Sequence, residues 1–86
     1  MRVLLFAQVR EIVGSDHINI SHDLPTITPS QIALRVAQAV GADQSLQTLL
    51  ERCMIAIDHE YAMELDAEYQ VSESTEVAII PPVSGG

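Results

Sequence analysis

One helix organises this chain, and its sequence is Thr28-Pro29-Ser30-Gln31-Ile32-Ala33-Leu34-Arg35-Val36-Ala37-Gln38-Ala39-Val40-Gly41. Thr28 is a good N-cap, and Pro29 suits the first helical position because its missing N–H has no partner there. Gln31 completes a capping box, and Gly41 marks the C-terminal end. Apolar side chains recur on one face, which predicts an amphipathic helix. The predicted buried stripe consists of Ile32, Val36 and Val40, with Ala33 and Ala39 beside them.

Apolar segments on both sides of this helix predict a β-sheet. Before the helix, residues 3–7 form a continuous apolar run, typical of a strand buried on both faces. Residues 17–20 alternate polar and apolar, which indicates a strand with one face in water. After the helix, Met54–Ile57 and Glu76–Ile80 have the composition of strands, and residues 61–63 are expected to return as a short edge strand.

Two shorter helical segments complete the pattern, a turn at residues 10–13 and a helix that carries the leucines of residues 46–50. The order is strand, strand, helix, strand, short strand, strand. A hairpin, one main helix and a last strand inserted into the middle of a mixed sheet describe an α+β fold, the β-grasp or ubiquitin-like roll. A small α+β sandwich with another strand order is the alternative. We expect a domain over residues 1–80 and an extended tail over residues 81–86.

The composition excludes several classes of partner. The 86 residues carry a formal net charge of −8, with twelve acids, four arginines and no lysine. An acidic surface repels phosphate backbones and anionic lipid, so the sequence predicts neither a nucleic-acid nor a membrane partner and favours a basic protein. Cys53 is the only cysteine, which indicates a reducing compartment. The apolar run at residues 3–7 is too short for a signal or membrane segment, so we predict a cytoplasmic protein.

The sequence contains no recognisable catalytic motif. His17, His22 and His59 show no metal-ligand spacing, and no second cysteine is available, so no metal site is expected. There is no serine nucleophile motif and no glycine-rich phosphate loop. Cys53 is predicted to be a small buried core residue rather than a sulfur relay. We therefore expect no catalytic side chain in this chain.

The C-terminal tail carries the chemistry that the sequence does suggest. Pro81-Pro82 favours an extended path, and the six residues to Gly86 reach about 20 Å. Glycine has no Cβ, so Gly85-Gly86 can enter a narrow tunnel. A carboxylate is a poor electrophile at neutral pH, so another enzyme must activate Gly86, for example as an acyl-adenylate, before a sulfur or amine nucleophile attacks. The tail would be a carrier arm; a simple frayed end is the alternative.

A surface near the base of the tail is the candidate partner interface. Phe6, Tyr61 and Ile80 are predicted to form an exposed apolar patch there, and burial of all three in the core is the alternative. Arg10 is added to this candidate interface. As rare positive charges, Arg10 and Arg35 are otherwise expected to be surface ion-pair partners. The acidic residues between 58 and 76 form either a solvated face or a docking surface for basic residues.

Two segments resemble a known family. Val3-Leu4-Leu5-Phe6-Ala7-Gln8-Val9-Arg10-Glu11-Ile12-Val13-Gly14 resembles the opening of the MoaD family, the small subunits of molybdopterin synthase. Glu76-Val77-Ala78-Ile79-Ile80-Pro81-Pro82-Val83-Ser84-Gly85-Gly86 resembles the closing segment of that family. Residues 17–74 match only in pattern. The family often has aromatic residues before the proline pair, where this chain has Ile79-Ile80.

The resemblance implies a sulfur carrier without a bound cofactor. An E1-like adenylating enzyme would activate Gly86 at the expense of ATP, and a sulfur donor would convert it to a thiocarboxylate. The tail would then enter the large synthase subunit and give sulfur to cyclic pyranopterin monophosphate, which forms the molybdopterin dithiolene. The implied complex is a heterotetramer of two small and two large subunits. The residues that would thread the tail are Pro81, Pro82, Val83, Ser84 and Gly85.

Three other functions remain open from the residues themselves. The same tail would serve a sulfur carrier of another pathway, such as thiazole synthesis for thiamine. It would also serve a ubiquitin-like protein modifier whose Gly86 is joined to lysines of target proteins. A plain β-grasp interaction domain with a passive tail is the third alternative. The run Pro81-Pro82-Val83 and the opening segment favour the molybdopterin pathway.

Overall fold

The computed structural model describes residues 1–82 of this chain, and within them it contains seven strands and three helices. In chain order these elements are β1 (Arg2–Leu5), α1 (Ala7–Val13), β2 (His17–Asn19), β3 (Thr26–Ile27), α2 (Pro29–Val40), α3 (Gln44–Arg52), β4 (Met54–Ile57), β5 (Glu60–Tyr61), β6 (Tyr69–Gln70) and β7 (Glu76–Ile80).

Five strands form one mixed sheet in the order β2-β1-β7-β4-β5. The last strand, β7, lies in the centre, where it is parallel to β1 and antiparallel to β4. β1 and β2 form the predicted antiparallel hairpin. This order, with the long helix α2 between the hairpin and the later strands, confirms the predicted β-grasp roll.

Helix α2 begins and ends as its sequence predicts. The Thr28 hydroxyl accepts a hydrogen bond from the Gln31 backbone N–H at 3.1 Å, and the Gln31 side chain accepts one from the Thr28 N–H at 2.9 Å. Two N–H groups that the first turn leaves without helical partners are thus satisfied. Gly41 ends the helix with φ of 64°, a left-handed conformation that glycine adopts without a steric penalty.

The buried stripe of α2 differs from the prediction at one position. Ile32 and Val36 are fully buried, and Ala33 and Val40 are half-buried, as expected. Ala39 is exposed, and Ala37 packs against the core instead. The reason is that α3 packs beside α2 on the side of Ala33 and Ala37, which turns the centre of the stripe away from Ala39.

The core lies between one face of the sheet and the helices, and it is almost entirely aliphatic. Its fully buried members from the two central strands are Val3, Leu5, Val77 and Ile79. Each such side chain contributes about 1.5–3 kcal/mol relative to an exposed one. Closely packed branched aliphatic side chains therefore fill the core, which contains few aromatic residues.

The first strand is shorter than predicted and is buried on one face only. It ends at Leu5, because Ala7 adopts a left-handed conformation with φ of 48° and turns the chain directly into α1. Helix α1 consequently begins at Ala7 rather than at residue 10. Leu4 is half-buried and Phe6 is exposed, since none of the described elements covers the outer face of the sheet.

Two other details of the sheet were not predicted. The edge strand β5 is Glu60–Tyr61 rather than residues 61–63, because the turn expected over residues 58–60 is a tight two-residue turn of Asp58 and His59. A small separate sheet joins β3 to β6, in which Thr26 is paired with Gln70. Among the helices of residues 1–82, none has the length and apolar character needed to cross a membrane.

Candidate functional site

The outer face of the central strand β7 is where the candidate site begins. Val77 and Ile79 point to the helices and are fully buried. Side chains of a strand alternate between its two faces, so Ala78 and Ile80 lie on the outer face, where they are half-buried. This arrangement confirms the alternation that the sequence predicts for the strand.

Strand register brings small and large apolar side chains into one row across the outer face. Leu4 of β1 is paired with Ala78, Ala78 with Ala56 of β4, and Ala56 with Tyr61 of β5. Because the two central positions carry only methyl groups, the middle of the row is lower than its ends. The result is a shallow depression of about 350 Å³. It is lined by Leu4, Phe6, Ala56, His59, Tyr61, Glu76, Ala78 and Ile80.

The three predicted patch residues lie around this depression. Phe6 is 42% exposed, Tyr61 is 57% exposed and Ile80 is half-buried. Phe6 owes its outward position to alternation along β1 and to the abrupt turn at Ala7, which stops the strand directly after it. The alternative that all three belong to the core is therefore wrong, and their role at a partner interface stays a prediction.

The rim of the depression is polar on the side of the β4–β5 turn. Asp58 and His59 both have positive φ, 47° and 72°. The Asp58 N–H donates to the Glu76 carbonyl at 2.8 Å, and the Glu76 N–H donates to the Asp58 carboxylate at 2.9 Å. These two bonds fix the turn to the start of β7, which places His59 and Glu76 at the depression.

Sequence reasoning did not single out Ala56 or His59. For Ala56 a signal was available, since strand alternation from Ile55 and Ile57 places it on the outer face. For His59 the sequence predicts only a turn at residues 58–60; its place at the depression depends on the positive φ of both Asp58 and His59, which the sequence does not indicate.

The arginines do not behave as expected. Within residues 1–82 the only ion-pair contact joins the Asp16 carboxylate to His17, at 2.7 Å, so neither Arg10 nor Arg35 has the predicted carboxylate partner in that part of the chain. Arg35 donates instead to the Ser21 carbonyl and contacts His22 Nδ1 at 3.2 Å, which ties the loop after β2 to α2. Arg10 is exposed on α1 and is not among the residues that line the depression, so its interface role stays a prediction.

The histidines occupy three separate places. The hydrogen bond from His17 lowers the pKa of the Asp16 carboxyl below its usual value, with smaller contributions from the positive charges nearby. His22 Nε2 lies 2.7 Å from the Thr26 carbonyl oxygen, and His59 stands at the rim of the depression. Residues 1–82 contain no group of three side chains placed to hold a metal ion.

Cys53 is the small core residue that the sequence predicts. It is 8% exposed, and its thiol donates a hydrogen bond to the Leu49 carbonyl at 3.2 Å. Burial raises the pKa of the thiol to about 11. The thiolate, which is the reactive form, is therefore scarce at neutral pH.

The base of the tail follows the depression directly. Pro81 is buried and Pro82 is exposed, and they continue the chain from Ile80, which lines the depression. The remaining predicted tail residues, Val83, Ser84, Gly85 and Gly86, lie outside the described part of the chain. The carrier role of Gly86 and the threading roles of the other tail residues stay predictions.

Solved structures define the class of this protein. SAMP1 from Haloferax volcanii superposes with a TM-score of 0.76 at 25% identity, over 100% of this chain and 98% of that one. A chain from the complex of subunits 1 and 2 of molybdopterin-converting factor from Helicobacter pylori superposes with a TM-score of 0.58 at 16% identity, over 99% of this chain and 96% of that one. These similarities place the chain among the small ubiquitin-like β-grasp proteins.

Sequence relatives give the family. A profile of the ThiS family matches residues 3–86, and the chain belongs to that family. It is 35% identical to the molybdopterin synthase sulfur carrier subunit of Dictyostelium discoideum over 99% of this chain and 94% of that protein. It is also 35% identical to the subunit of the same name from Escherichia coli (strain K12), over 100% of this chain and 99% of that protein. These relatives confirm the resemblance to the MoaD family.

Proposed function

We propose that this chain is the sulfur carrier subunit of a molybdopterin synthase. The observation that carries the proposal is the position of the apolar depression, whose residue Ile80 is followed directly by the Pro81-Pro82 base of the tail. A partner that binds to this face is therefore close to the point at which the tail leaves the domain, so it can receive the tail. Full-length similarity to two sulfur carrier subunits, each at 35% identity, supports the same function.

The large subunit of the synthase is the proposed partner at this face. Phe6 and Tyr61 expose aromatic surface on either side of the two alanines, and aromatic side chains in such settings commonly dominate the binding energy of interfaces. The four residues that follow Pro82, up to Gly86, can extend at most about 14 Å, which limits how deep the tail enters a partner. The complex of subunits 1 and 2 from Helicobacter pylori is a related assembly. We expect a heterotetramer of two small and two large subunits.

The chemistry takes place on Gly86 and uses groups of other proteins. In an E1-like enzyme the carboxylate attacks the α-phosphate of ATP, pyrophosphate leaves, and an acyl-adenylate forms. A sulfur donor then displaces AMP and leaves a thiocarboxylate, whose sulfur is transferred to cyclic pyranopterin monophosphate. The chain itself holds no cofactor in this scheme, and ATP is consumed by the activating enzyme. The single cysteine suits the reducing cytoplasm, where we place the reaction.

The direct test is sulfuration of the purified chain. We expect that incubation with its adenylating enzyme, ATP and sulfide adds the mass of one sulfur in place of one oxygen, and that fragmentation places the change at Gly86. A chain without Gly86 is the matched control, and it should remain folded and unmodified. No mass gain in the intact chain, despite pyrophosphate release with a known carrier in the same assay, would reject the proposal.

The docking face is tested with two residues of equal exposure. Tyr61 lines the depression and Ile12 lies on α1, and each is 57% exposed. We expect Tyr61→Ala to weaken binding of the large subunit at least about tenfold, as the loss of an aromatic anchor commonly does. Ile12→Ala should leave the affinity unchanged. Equal effects of the two substitutions on calorimetric titration would contradict the proposed interface.

A protein modifier is the second candidate, because SAMP1, whose name is small archaeal modifier protein 1, has the same fold and 25% identity. On this alternative Gly86 would form isopeptide bonds with lysines of target proteins. Because Arg52 is the last basic residue of the chain, trypsin would leave residues 53–86 on the modified lysine. Branched peptides in which this segment is joined to a lysine through Gly86, found in digests of cells that express a tagged chain, would support it. A sulfur carrier of the thiazole type would instead accept sulfur but fail to convert the pyranopterin precursor.

A further inference from the structure

The folded domain buries its N-terminal amine and its single thiol, the groups that would form a stable bond with an activated C-terminus. We infer that this protein acts only as a donor: no amine or thiol of the folded domain is available to capture an activated acyl group on its own Gly86 or on that of a second copy. The inference rests on the proposed function, in which Gly86 passes through an acyl-adenylate.

The side reaction that must be avoided is simple. A neutral amine attacks the carbonyl carbon of the adenylate, a C–N bond forms, the C–O bond to phosphate breaks, and AMP leaves with the electron pair. The amine gives its proton to water, and the product is a stable amide. A thiolate reacts in the same way and gives a thioester. Each route requires an accessible nucleophile in its unprotonated form.

The chain carries no lysine, which removes the commonest amine. All four basic residues are arginines, at positions 2, 10, 35 and 52. The guanidinium group keeps its proton in proteins and has no free electron pair to offer as a nucleophile.

The remaining amine, at Met1, is held inside the fold. It donates a hydrogen bond of 2.9 Å to the Ile20 carbonyl, and the Ile20 N–H donates back to the Met1 carbonyl at 2.9 Å. Met1 is 7% exposed and Ile20 is 6% exposed. These bonds extend the pairing of β1 with β2, so the amine becomes accessible only when the start of the hairpin opens.

The single thiol, like the Met1 amine, is buried and hydrogen-bonded within the fold. Cys53 is buried and donates its proton to the Leu49 carbonyl, and burial raises the pKa of the thiol, which disfavours the thiolate. Hydroxyl groups need a neighbouring base to become nucleophiles. Among the described residues, no serine, threonine or tyrosine hydroxyl is hydrogen-bonded to a histidine side chain, and the one that donates to a carboxylate is Thr26, whose Oγ1 lies 3.0 Å from Glu68 Oε1.

The first test requires no partner protein, so it stands apart from the proposed function. The 86-residue chain is treated with the N-hydroxysuccinimide ester of acetic acid at neutral pH, either folded or in urea, and intact mass is followed over time. We expect acetylation of Met1 to be at least about tenfold slower in the folded chain, in proportion to the rarity of opening. Equal rates in the two conditions would overturn the inference.

The second test supplies an amine and asks whether capture follows. Arg52 is exposed on α3 and takes no part in the depression, so Arg52→Lys adds an amine without changing the charge. With the adenylating enzyme and ATP but no sulfur source, the wild-type chain should give no covalent dimer, and Arg52→Lys should give dimers linked from Gly86 to position 52. Arg52→Gln is the control that adds no amine. A second variant, extended by Gly-Ser before Met1, should form dimers through its new amine.

The outcomes separate the two ideas. Wild-type dimers linked at Met1 or Cys53, or no dimers from either amine-bearing variant while pyrophosphate is released, would overturn the donor-only inference. Absence of pyrophosphate release from every variant would reject the proposed activation of Gly86 instead, and the acetylation experiment would still decide the accessibility of the Met1 amine.

Discussion

His59 occupies a backbone conformation that its side chain does not favour. It is the second residue of the two-residue turn between β4 and β5, and its φ of 72° lies in the left-handed region. Turns of this type normally carry glycine or asparagine, because a Cβ is crowded at positive φ. Strain of this kind is often found where a side chain is needed at a binding surface, and His59 does line the depression.

Replacement of His59 by glycine should therefore stabilise the domain. We expect His59→Gly to raise the free energy of unfolding by about 0.5–1 kcal/mol, the relief of strain less the added entropy of the unfolded chain. Urea denaturation followed by circular dichroism measures the change. Asp58→Gly is the matched control: its φ of 47° is also positive, but its carboxylate accepts the Glu76 N–H, so the gain should be cancelled. Destabilisation by His59→Gly would contradict this account of the turn.

Cys53 gives the stability of the domain a dependence on alkaline pH. The thiol has a pKa of about 11 when folded, against an ordinary value of 9.0. Between these values the unfolded chain loses the proton and the folded chain keeps it, so stability falls as pH rises. The contribution is complete below pH 9, and up to about 2 kcal/mol is lost across the window.

In the variant Cys53→Ala, the free energy of unfolding should fall less steeply as pH rises from 9 to 11. The variant begins less stable because it leaves a small cavity, so the comparison concerns the slope of stability against pH between 9 and 11 rather than its absolute value. Urea midpoints at several pH values measure both slopes. Parallel curves for the two proteins would show that the buried thiol is not the cause.

At the scale of one element, two neighbouring residues of β7 are expected to affect different properties: Ile79 the stability of the domain, and Ile80 the binding of a partner. Ile79 is fully buried under the helices, and Ile80 lies on the outer face. We expect Ile79→Ala to cost about 3 kcal/mol of stability, as truncation in a core commonly does, and Ile80→Ala to cost less than about 1.5 kcal/mol. Affinity for the large subunit should show the reverse order, measured where both variants are folded. A stability loss at Ile80 equal to that at Ile79 would contradict the outward position of Ile80.

The elements that sequence predicts well are those whose local signals agree with the fold. The strands β4 and β7 and the helix α2 have the predicted bounds or nearly so, because apolar composition, alternation and capping residues indicate the same structure. The start of α1 was missed because it depends on a left-handed alanine, Ala7, for which the sequence has no signal. The strands β3 and β6 were missed because each has only two residues and its partner is distant in sequence.

The candidate site was predictable in part. The positions of Phe6, Tyr61 and Ile80 on one surface follow from alternation along three strands, once the strand order is known. The depression between them does not, because its depth depends on the register that places Ala56 opposite Ala78. Periodicity fixes the face of a residue, but a cross-strand neighbour is fixed only by the register of pairing.

At the scale of the whole molecule, charge should govern the rate of association. With a net charge of −8 the chain attracts a basic partner over long distances, and salt screens that attraction. We expect the association rate with the large subunit to fall at least about tenfold between about 0.02 M and about 0.5 M salt, with little change in the dissociation rate. Stopped-flow fluorescence measures both rates.

Two acidic residues provide the internal comparison for this prediction. Glu76 lines the depression, whereas Glu11 is exposed on α1. Glu76→Gln should lower the association rate at low salt more than Glu11→Gln does, because the rate depends most on charges near the docking surface. An association rate that does not respond to salt would exclude steering by the acidic surface.

The central place of β7 also determines how the domain responds to force. The tail continues this strand, and the strand is paired along its length with β1 on one side and β4 on the other. A partner that pulls on the tail therefore loads two ladders of hydrogen bonds along their length, in shear, and the bonds must break together. At the edge of the sheet, the same pull would peel the strand away one bond at a time. We therefore expect the domain to resist unfolding when a partner pulls on its C-terminal end.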